Sequence, residues 1–187
     1  MKFPKQYKVL RQNTYIQDEY SIVPIRYEDR LEIMKWRNEQ IFHLRQADPL
    51  TEHKQNNYFN TIVQDLFEQA KPHNLLFSFL KGDECIGYGG LVHINWVDKH
   101  AEISFILETD LQELFFERLW TIYLKLIEQV AFIELKFHKL FVYAFDLRPH
   151  LYDVLQKNNY FLDAVLKDHC LFEGNFIDVV IHSKIKG

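Results

Sequence analysis

Between Leu75 and Leu107 three strand-like runs follow one another with almost nothing between them, and a long amphipathic helix comes next. No other feature of the chain restricts its fold as tightly. Leu75–Leu80 is short and apolar, Lys81-Gly82-Asp83 reads as a hairpin turn, and Glu84–Asn95 supplies the returning strand. A loop around Val97–His100 leads to a third strand, Ala101–Leu107. Links this short pair strands antiparallel, because a parallel return needs a crossover of a dozen residues or more. The helix expected over Gln112–Leu135 is such a crossover, with Leu119, Ile122, Leu126, Val130 and Ile133 on one face. It delivers the chain to a strand at Leu140–Phe145.

The flanks agree with that centre. Tyr20–Arg26 alternates as a strand does, and Tyr27–Gln40 has helical spacing. Thr51 is placed to cap a helix reaching Glu68, whose apolar stripe is Phe59, Ile62, Val63, Leu66 and Phe67. Pro149 suits a first helical position and opens a short helix to about Asn158. Phe161–Phe172 and Phe176–Ser183 form a last hairpin around Glu173-Gly174-Asn175. The fold class is therefore α/β, one mixed and mostly antiparallel sheet flanked by helices. A doubly wound nucleotide fold needs strict strand–helix alternation, and Gly87-Tyr88-Gly89-Gly90 lies within a strand rather than opening a helix. No repeat or linker divides the chain, so residues 20–187 read as one domain and 1–19 as an N-terminal extension.

Composition removes several classes of function. The formal charge is −4 and the basic residues are scattered, which leaves no footprint for a nucleic acid. Lys2, Lys5, Lys8 and Arg11 read as a solvated tail. Met1–Glu19 has no apolar core of signal-peptide length, and no apolar run is long enough to cross a membrane. Cys85 and Cys170 stand far apart without metal-type spacing, and the nine His residues form no zinc-protease pattern. No metal is expected, and the compartment reads as reducing and cytoplasmic. Neither a Gly-x-Ser-x-Gly elbow nor a reactive-Cys signature is present, so nothing supports a covalent nucleophile.

Several segments resemble the GNAT superfamily of acyltransferases. Trp36-Arg37-Asn38 resembles a motif of two branches, the N-terminal acetyltransferases of ribosomal proteins and the N-acetyltransferases of nucleotide-linked amino sugars. Ile86-Gly87-Tyr88-Gly89-Gly90-Leu91 is similar to that family's third strand, and His100-Ala101-Glu102-Ile103-Ser104-Phe105 to its fourth. Leu166-Lys167-Asp168-His169, Glu173-Gly174 and Asp178 resemble the terminal hairpin, so the likeness runs from about Tyr20 to Ile185.

The resemblance implies transfer of an acetyl group from acetyl-CoA to the amine of a small molecule, with a nucleotide-linked amino sugar as the expected acceptor. Pairing of two copies, common in the family, makes a homodimer an expectation. Glu102 stands where a base would be, though a strand-end Glu in a salt bridge reads equally well. The backbone of Phe105, Ile106 and Leu107 would take the pantetheine arm as an added strand. Leu155 occupies the position of the family's acidic Tyr, and Tyr152 one turn earlier could reach the same space or simply pack. Asp146-Leu147-Arg148 replaces an Asn common at the start of that segment. Arg37 could clamp an anionic group of the acceptor or tie the first helix to the next loop, and His93 could line the acceptor pocket or be an ordinary His.

One family element departs. The loop that would hold the pyrophosphate of coenzyme A reads Gln112-Glu113-Leu114-Phe115-Phe116-Glu117. Gln112 fits the motif, but Phe115 and Glu117 stand where small residues let backbone amides approach phosphates. Three readings are compatible with that loop. Coenzyme A is held with weaker phosphate contacts, or the chain is a non-catalytic GNAT-like binding domain. The third keeps the catalysis and takes the acyl group from an acyl carrier protein.

Overall fold

The strands of the computed structural model are β1 (Tyr15–Gln17), β2 (Tyr20–Pro24), β3 (Leu75–Lys81), β4 (Glu84–Asn95), β5 (His100–Leu107), β6 (Lys139–Phe145), β7 (Phe161–Phe172) and β8 (Asn175–Ile185). Residues 3–187 are described, so the first two residues of the expected extension lie outside. The strands form one sheet in the order β1-β2-β3-β4-β5-β6-β8-β7. Every neighbouring pair is antiparallel except β5 and β6. The helix between those two is the crossover that parallel pairing demands.

Four helices cover the sheet. α1 is Arg30–Glu39, and α2 starts at Glu52–Tyr58 and continues through a π turn, Phe59–Val63, into Gln64–Leu66. α3 is Thr109–Glu128 with a π turn at Gln129–Glu134, and α4 is Pro149–Lys157. Thr51 caps α2 as expected, its side chain accepting from the Lys54 N–H at 3.3 Å. The two π turns explain two misplaced core residues. Each inserts a residue into the helical repeat and rotates the side chains around it. Ile62 and Ile133, expected on the buried stripes, are instead exposed, while Phe59, Val63, Leu66 and Val130 are buried.

The segment before Tyr20 is packed onto the domain. Tyr7 is fully buried, stacks on Phe67 at 4.1 Å, and exchanges two hydrogen bonds with the backbone of Leu76. Leu10 and Tyr15 are buried beside it, and Tyr15–Gln17 adds a strand to β2. Lys5, Lys8 and Arg11 keep exposed side chains but belong to this packed segment rather than to the solvated tail expected, the Lys8 N–H donating to the Phe67 carbonyl at 2.8 Å; Lys2 lies outside the described residues.

The close fit of β4, β5 and α3 fixes the centre. Phe105 stacks on Tyr123 of α3 at 3.8 Å and meets Trp120 edge-on at 5.0 Å. Tyr123 reaches past them to donate to the Ser104 carbonyl at 3.3 Å. Gly89 of β4 makes this approach feasible. A Cβ there would press on the Ser104 carbonyl and lie 2.6 Å from the Tyr123 hydroxyl and 2.8 Å from the Phe105 Cα. Backbone cannot move aside as a flexible side chain can. Gly89→Ala is therefore expected to destabilise the protein by about 3 kcal/mol, the scale of an overpacked core, read from urea unfolding. An unchanged midpoint would show that β4 and β5 have slack at this point.

Candidate active site

β5 and β6 lie side by side only where His100–Glu102 faces Lys139–Phe141. Beyond Glu102 they part, β5 remaining with β4 as far as Leu107 and β6 with β8 as far as Phe145. A cavity of about 430 Å³ fills the wedge between them. The β5 side of that wedge is an unpaired edge. The Glu108 N–H donates to the Ile86 carbonyl, and antiparallel alternation then turns Ser104 and Ile106 toward β4 as well. Phe105 and Leu107 direct their backbone groups the other way, into the wedge, as does the carbonyl of Ile103, whose N–H belongs to the parallel pairing with Phe141.

Glu102 sits where the strands part and is only 4% exposed. Arg45 holds its Oε1 in an ion pair, and His93 Nδ1 lies 2.8 Å from its Oε2. Burying a carboxylate is costly unless it is paired, and both of its oxygens are. Arg45 comes from the connection between α1 and α2, its guanidinium 4.6 Å above the Tyr143 ring. His93 has a φ of 49° within the β4 bulge between Val92 and Asn95, and its N–H is held by Asn74 Oδ1 at 3.2 Å. Bulges re-aim side chains, and this one tips the imidazole toward the cavity. The His93 side chain remains 61% exposed, so it is the open member of the pair.

Arg37 enters from α1. Its Nε donates to Gln46 Oε1 at 2.8 Å and its Nη1 to the Tyr88 hydroxyl at 2.5 Å. Trp36 beside it is core, and Asn38 bonds the Leu50 backbone through both ends of its amide. The Trp-Arg-Asn motif thus combines packing, a cavity cation and a loop tie.

Across the mouth of the wedge runs a chain of side chains. Gln40 Nε2 donates to the Leu107 carbonyl at 2.8 Å, Gln40 Oε1 lies 3.3 Å from His43 Nε2, and Arg148 Nη1 lies 3.5 Å from that nitrogen. Burial, reinforced by the Arg148 charge, pushes the His43 pKa down to about 3, and burial lowers that of Arg148 to about 10.

Four of the expected site residues stand differently. The Tyr152 hydroxyl donates to Asp146 Oδ1 at 2.9 Å and its ring stacks on His182 at 5.0 Å, away from the cavity lining. Burial and that carboxylate push its pKa up, so it is a poor proton source. Tyr143 on β6 lines the cavity in its stead, its own pKa pushed up to about 12 by burial and by Cys170. Ile106 turns its backbone to β4, and the Leu107 carbonyl is taken by Gln40, so Phe105 and Ile103 are what the open edge retains. Gln112 does not line the cavity, because α3 begins at Thr109 and winds it into the helix. No motif or spacing pointed to Arg45 or His43 as site residues. Arg148 alone carried a signal, as part of a segment that departs from the family's Asn.

A family model described as the acetyltransferase (GNAT) domain matches residues 22–180. No curated protein matches the chain. Among solved structures, a mutant of the spermidine N-acetyltransferase SpeG from Vibrio cholerae is 16% identical with a TM-score of 0.74, covering 90% of this chain and 95% of its own. The same enzyme in complex with CoA and spermine gives 16% and 0.73, covering 90% and 96%. A probable acetyltransferase gives 18% and 0.75, covering 92% and 97%. At such identities these likenesses speak for the fold.

The buried His43 has a measurable consequence. Its folded pKa lies below the ordinary 6.5, so between those values the unfolded chain binds a proton that the folded one refuses. Its contribution to stability is therefore complete above pH 6.5 and is lost as the pH falls toward 3. From pH 7 to pH 5 this amounts to about 2 kcal/mol, which His43→Gln should remove from the difference between urea midpoints at the two pH values. An equal loss in both proteins would show that His43 is protonated in place.

Proposed function

The chain belongs to the GNAT acetyltransferase family, and from that premise we propose that it acetylates a small amine carrying an anionic group, with His93 and Glu102 acting together as the base. GNAT acetyltransferases use acetyl-CoA as donor, and the wedge between β5 and β6 suits its arm: an extended amide chain can pair with Ile103 and Phe105 as an added strand. The observation that carries the reading is the buried Glu102, paired on one oxygen with Arg45 and on the other with the exposed His93.

An amine arrives as an ammonium and must lose a proton before it can attack. Glu102 is enclosed, whereas His93 is open to the cavity. With Nδ1–H donating to Glu102, the far nitrogen of His93 takes the proton, and the carboxylate steadies the imidazolium that forms. The amine nitrogen then bonds to the thioester carbonyl carbon, and an N–H of the open β5 edge meets the oxyanion. The carbon–sulfur bond breaks, the sulfur leaves with the electron pair and takes the proton held by His93, and the second proton of the acylated nitrogen passes to water. Arg45 does not take part in these transfers; it offsets the charge of Glu102.

The acceptor class follows from the lining. Arg37, Arg45 and Arg148 border the cavity against one carboxylate, Glu102, which Arg45 already neutralises. A polyamine, as bound by the SpeG structure, would bring several positive charges to that excess of cations. A carboxylate or phosphate on the acceptor would meet Arg37, whose remaining N–H groups are free for a bidentate contact. A nucleotide-linked amino sugar is one member of this class. Nothing among the compared proteins singles it out.

Two measurements test this reading. His93→Gln and Glu102→Gln should each lower kcat about a hundredfold or more with coenzyme A affinity retained; a loss confined to Glu102→Gln would return the proton to the carboxylate. In a panel of amino acids, amino-sugar phosphates, nucleotide-linked amino sugars and spermidine, the anionic amines should be acetylated first. Arg37→Ala should raise their KM more than it lowers kcat. Spermidine as the preferred acceptor would reject the anionic class and leave the acetyl transfer standing.

A further inference from the structure

We propose that Arg148, at the start of α4, holds the phosphate of the pantetheine donor, in place of the first turn of α3. The inference rests on the acetyl-transfer reading and concerns the opposite end of the donor from the thioester.

The first turn of α3 is built against an anion. The helix follows β5 with no glycine between them, starting at Thr109 on the non-capping Glu108. Asp110 lies in that first turn, and Glu39 accepts a hydrogen bond from the Thr109 hydroxyl. Burial and the nearby Glu84, Asp110 and Glu32 raise the Glu108 pKa, against the single lowering influence of Lys35. A pyrophosphate brought here would meet several carboxylates and one ammonium. The positive end of a helix dipole amounts to about half a charge and does not offset that.

The other lip of the wedge is the reverse. Arg148 follows β6, lines the cavity and precedes Pro149, the first residue of the nine-residue α4. Its guanidinium is largely enclosed, yet it has no carboxylate partner among the described residues. Its one polar contact is the neutral His43 at 3.5 Å. A buried cation left unpaired by its own chain is costly, and a bound anion removes that cost. Pro149 has no N–H and the Leu151 N–H donates to the Arg148 carbonyl at 3.0 Å, so of the first amides of α4 that of His150 is left to add a donor on the same side. His150 packs against Phe116 of α3 at 4.6 Å, which ties the first turn of α4 to α3.

The order of groups along the donor fits this path. The reacting end belongs near His93 and Glu102, where the strands part, and the arm runs outward along Phe105. Its phosphate then comes to the mouth, where Arg148 and Leu107 stand on opposite lips, joined through Gln40 and His43. The arriving phosphate replaces His43 as the partner of Arg148. That phosphate can belong to coenzyme A or to the phosphopantetheine of a carrier protein, and the chemistry at Arg148 is the same for both.

Calorimetry on the full chain with coenzyme A, 4′-phosphopantetheine and pantetheine separates the cases. Coenzyme A and phosphopantetheine should both bind at least about tenfold more tightly than pantetheine, the scale of a charge-assisted contact. Arg148→Gln should abolish that advantage and leave pantetheine binding unchanged, and Arg148→Lys, which keeps the charge, should retain part of it. An advantage for coenzyme A over phosphopantetheine marks the free donor, and equal affinity marks a carrier-compatible site; either supports the role of Arg148. Equal binding of all three ligands by the native protein, or an advantage that survives Arg148→Gln, overturns it while acetyl transfer stands. Failure of all three to bind at millimolar concentration removes both readings together.

Discussion

Three residue pairs hold β5 to β6, and the centre of the molecule depends on where that pairing stops. Each backbone group past Glu102 on the open edge needs a partner, because a buried amide without one costs as much as a lost hydrogen bond. The chain satisfies this edge at its two ends. Gln40 takes the Leu107 carbonyl at the mouth, and at the crux the pairing itself runs as far as Glu102. Between them Ile103 and Phe105 face a cavity. An extended ligand bearing its own amides completes that edge as a further strand would, which makes the wedge a receptor by default rather than by a dedicated motif.

Charge in the cavity is arranged in the same economical way. Glu102 is enclosed while Arg45 keeps 47% of its side chain in solvent, so only one half of the pair bears the full cost of burial. Arg45 also rests on the Tyr143 ring, which fixes its head without another carboxylate. The remaining cations, Arg37 and Arg148, contact neutral groups: Tyr88, Gln46 and His43. Neutral partners orient a guanidinium without cancelling its charge, and the site keeps a net attraction for anions inside a chain whose formal charge is −4.

Much of this fold was legible because its local signals agree with its topology. The Lys81-Gly82-Asp83 turn, the Thr51 cap and Pro149 each mark a boundary that the structure keeps to within a residue or two. The packing of Tyr7 and Leu10 was hidden, since a segment of mixed polarity shows no periodicity until its partners, Phe67 and the start of β3, are known. The π turns were hidden for a different reason: a 3.6-residue repeat cannot announce where an extra residue enters it. In the site, Glu102, His93 and Arg37 were expected from the segments that resemble the family, and all three line the cavity. Arg45 and His43 lie in an irregular connection, where spacing carries no direction, and Tyr152 misled because helical proximity to Leu155 says nothing of which way a hydroxyl turns.

The acidic start of α3 and the arginine at position 148 are two parts of one arrangement of charge. A phosphate receptor at a helix N-terminus requires glycines, a turn of chain that is not yet helix, and no nearby anions. This chain has none of the three: helix begins at Thr109, Phe115 and Glu117 sit where glycines would, and the first turn is acidic. Those same substitutions are what a good helix calls for. Acidic residues near an N-terminus favour the macrodipole, and replacing glycine removes about 1 kcal/mol of helix penalty per site. α3 has thus become a structural element, stiff enough to carry Trp120 and Tyr123 against Phe105. The positive charge that its first turn lacks reappears across the wedge on Arg148, about which the α1–α2 connection has folded a neutral His43 and no acid. The anion site proposed at Arg148 thus lies on the lip opposite the acidic first turn of α3, with the open edge of β5 between them.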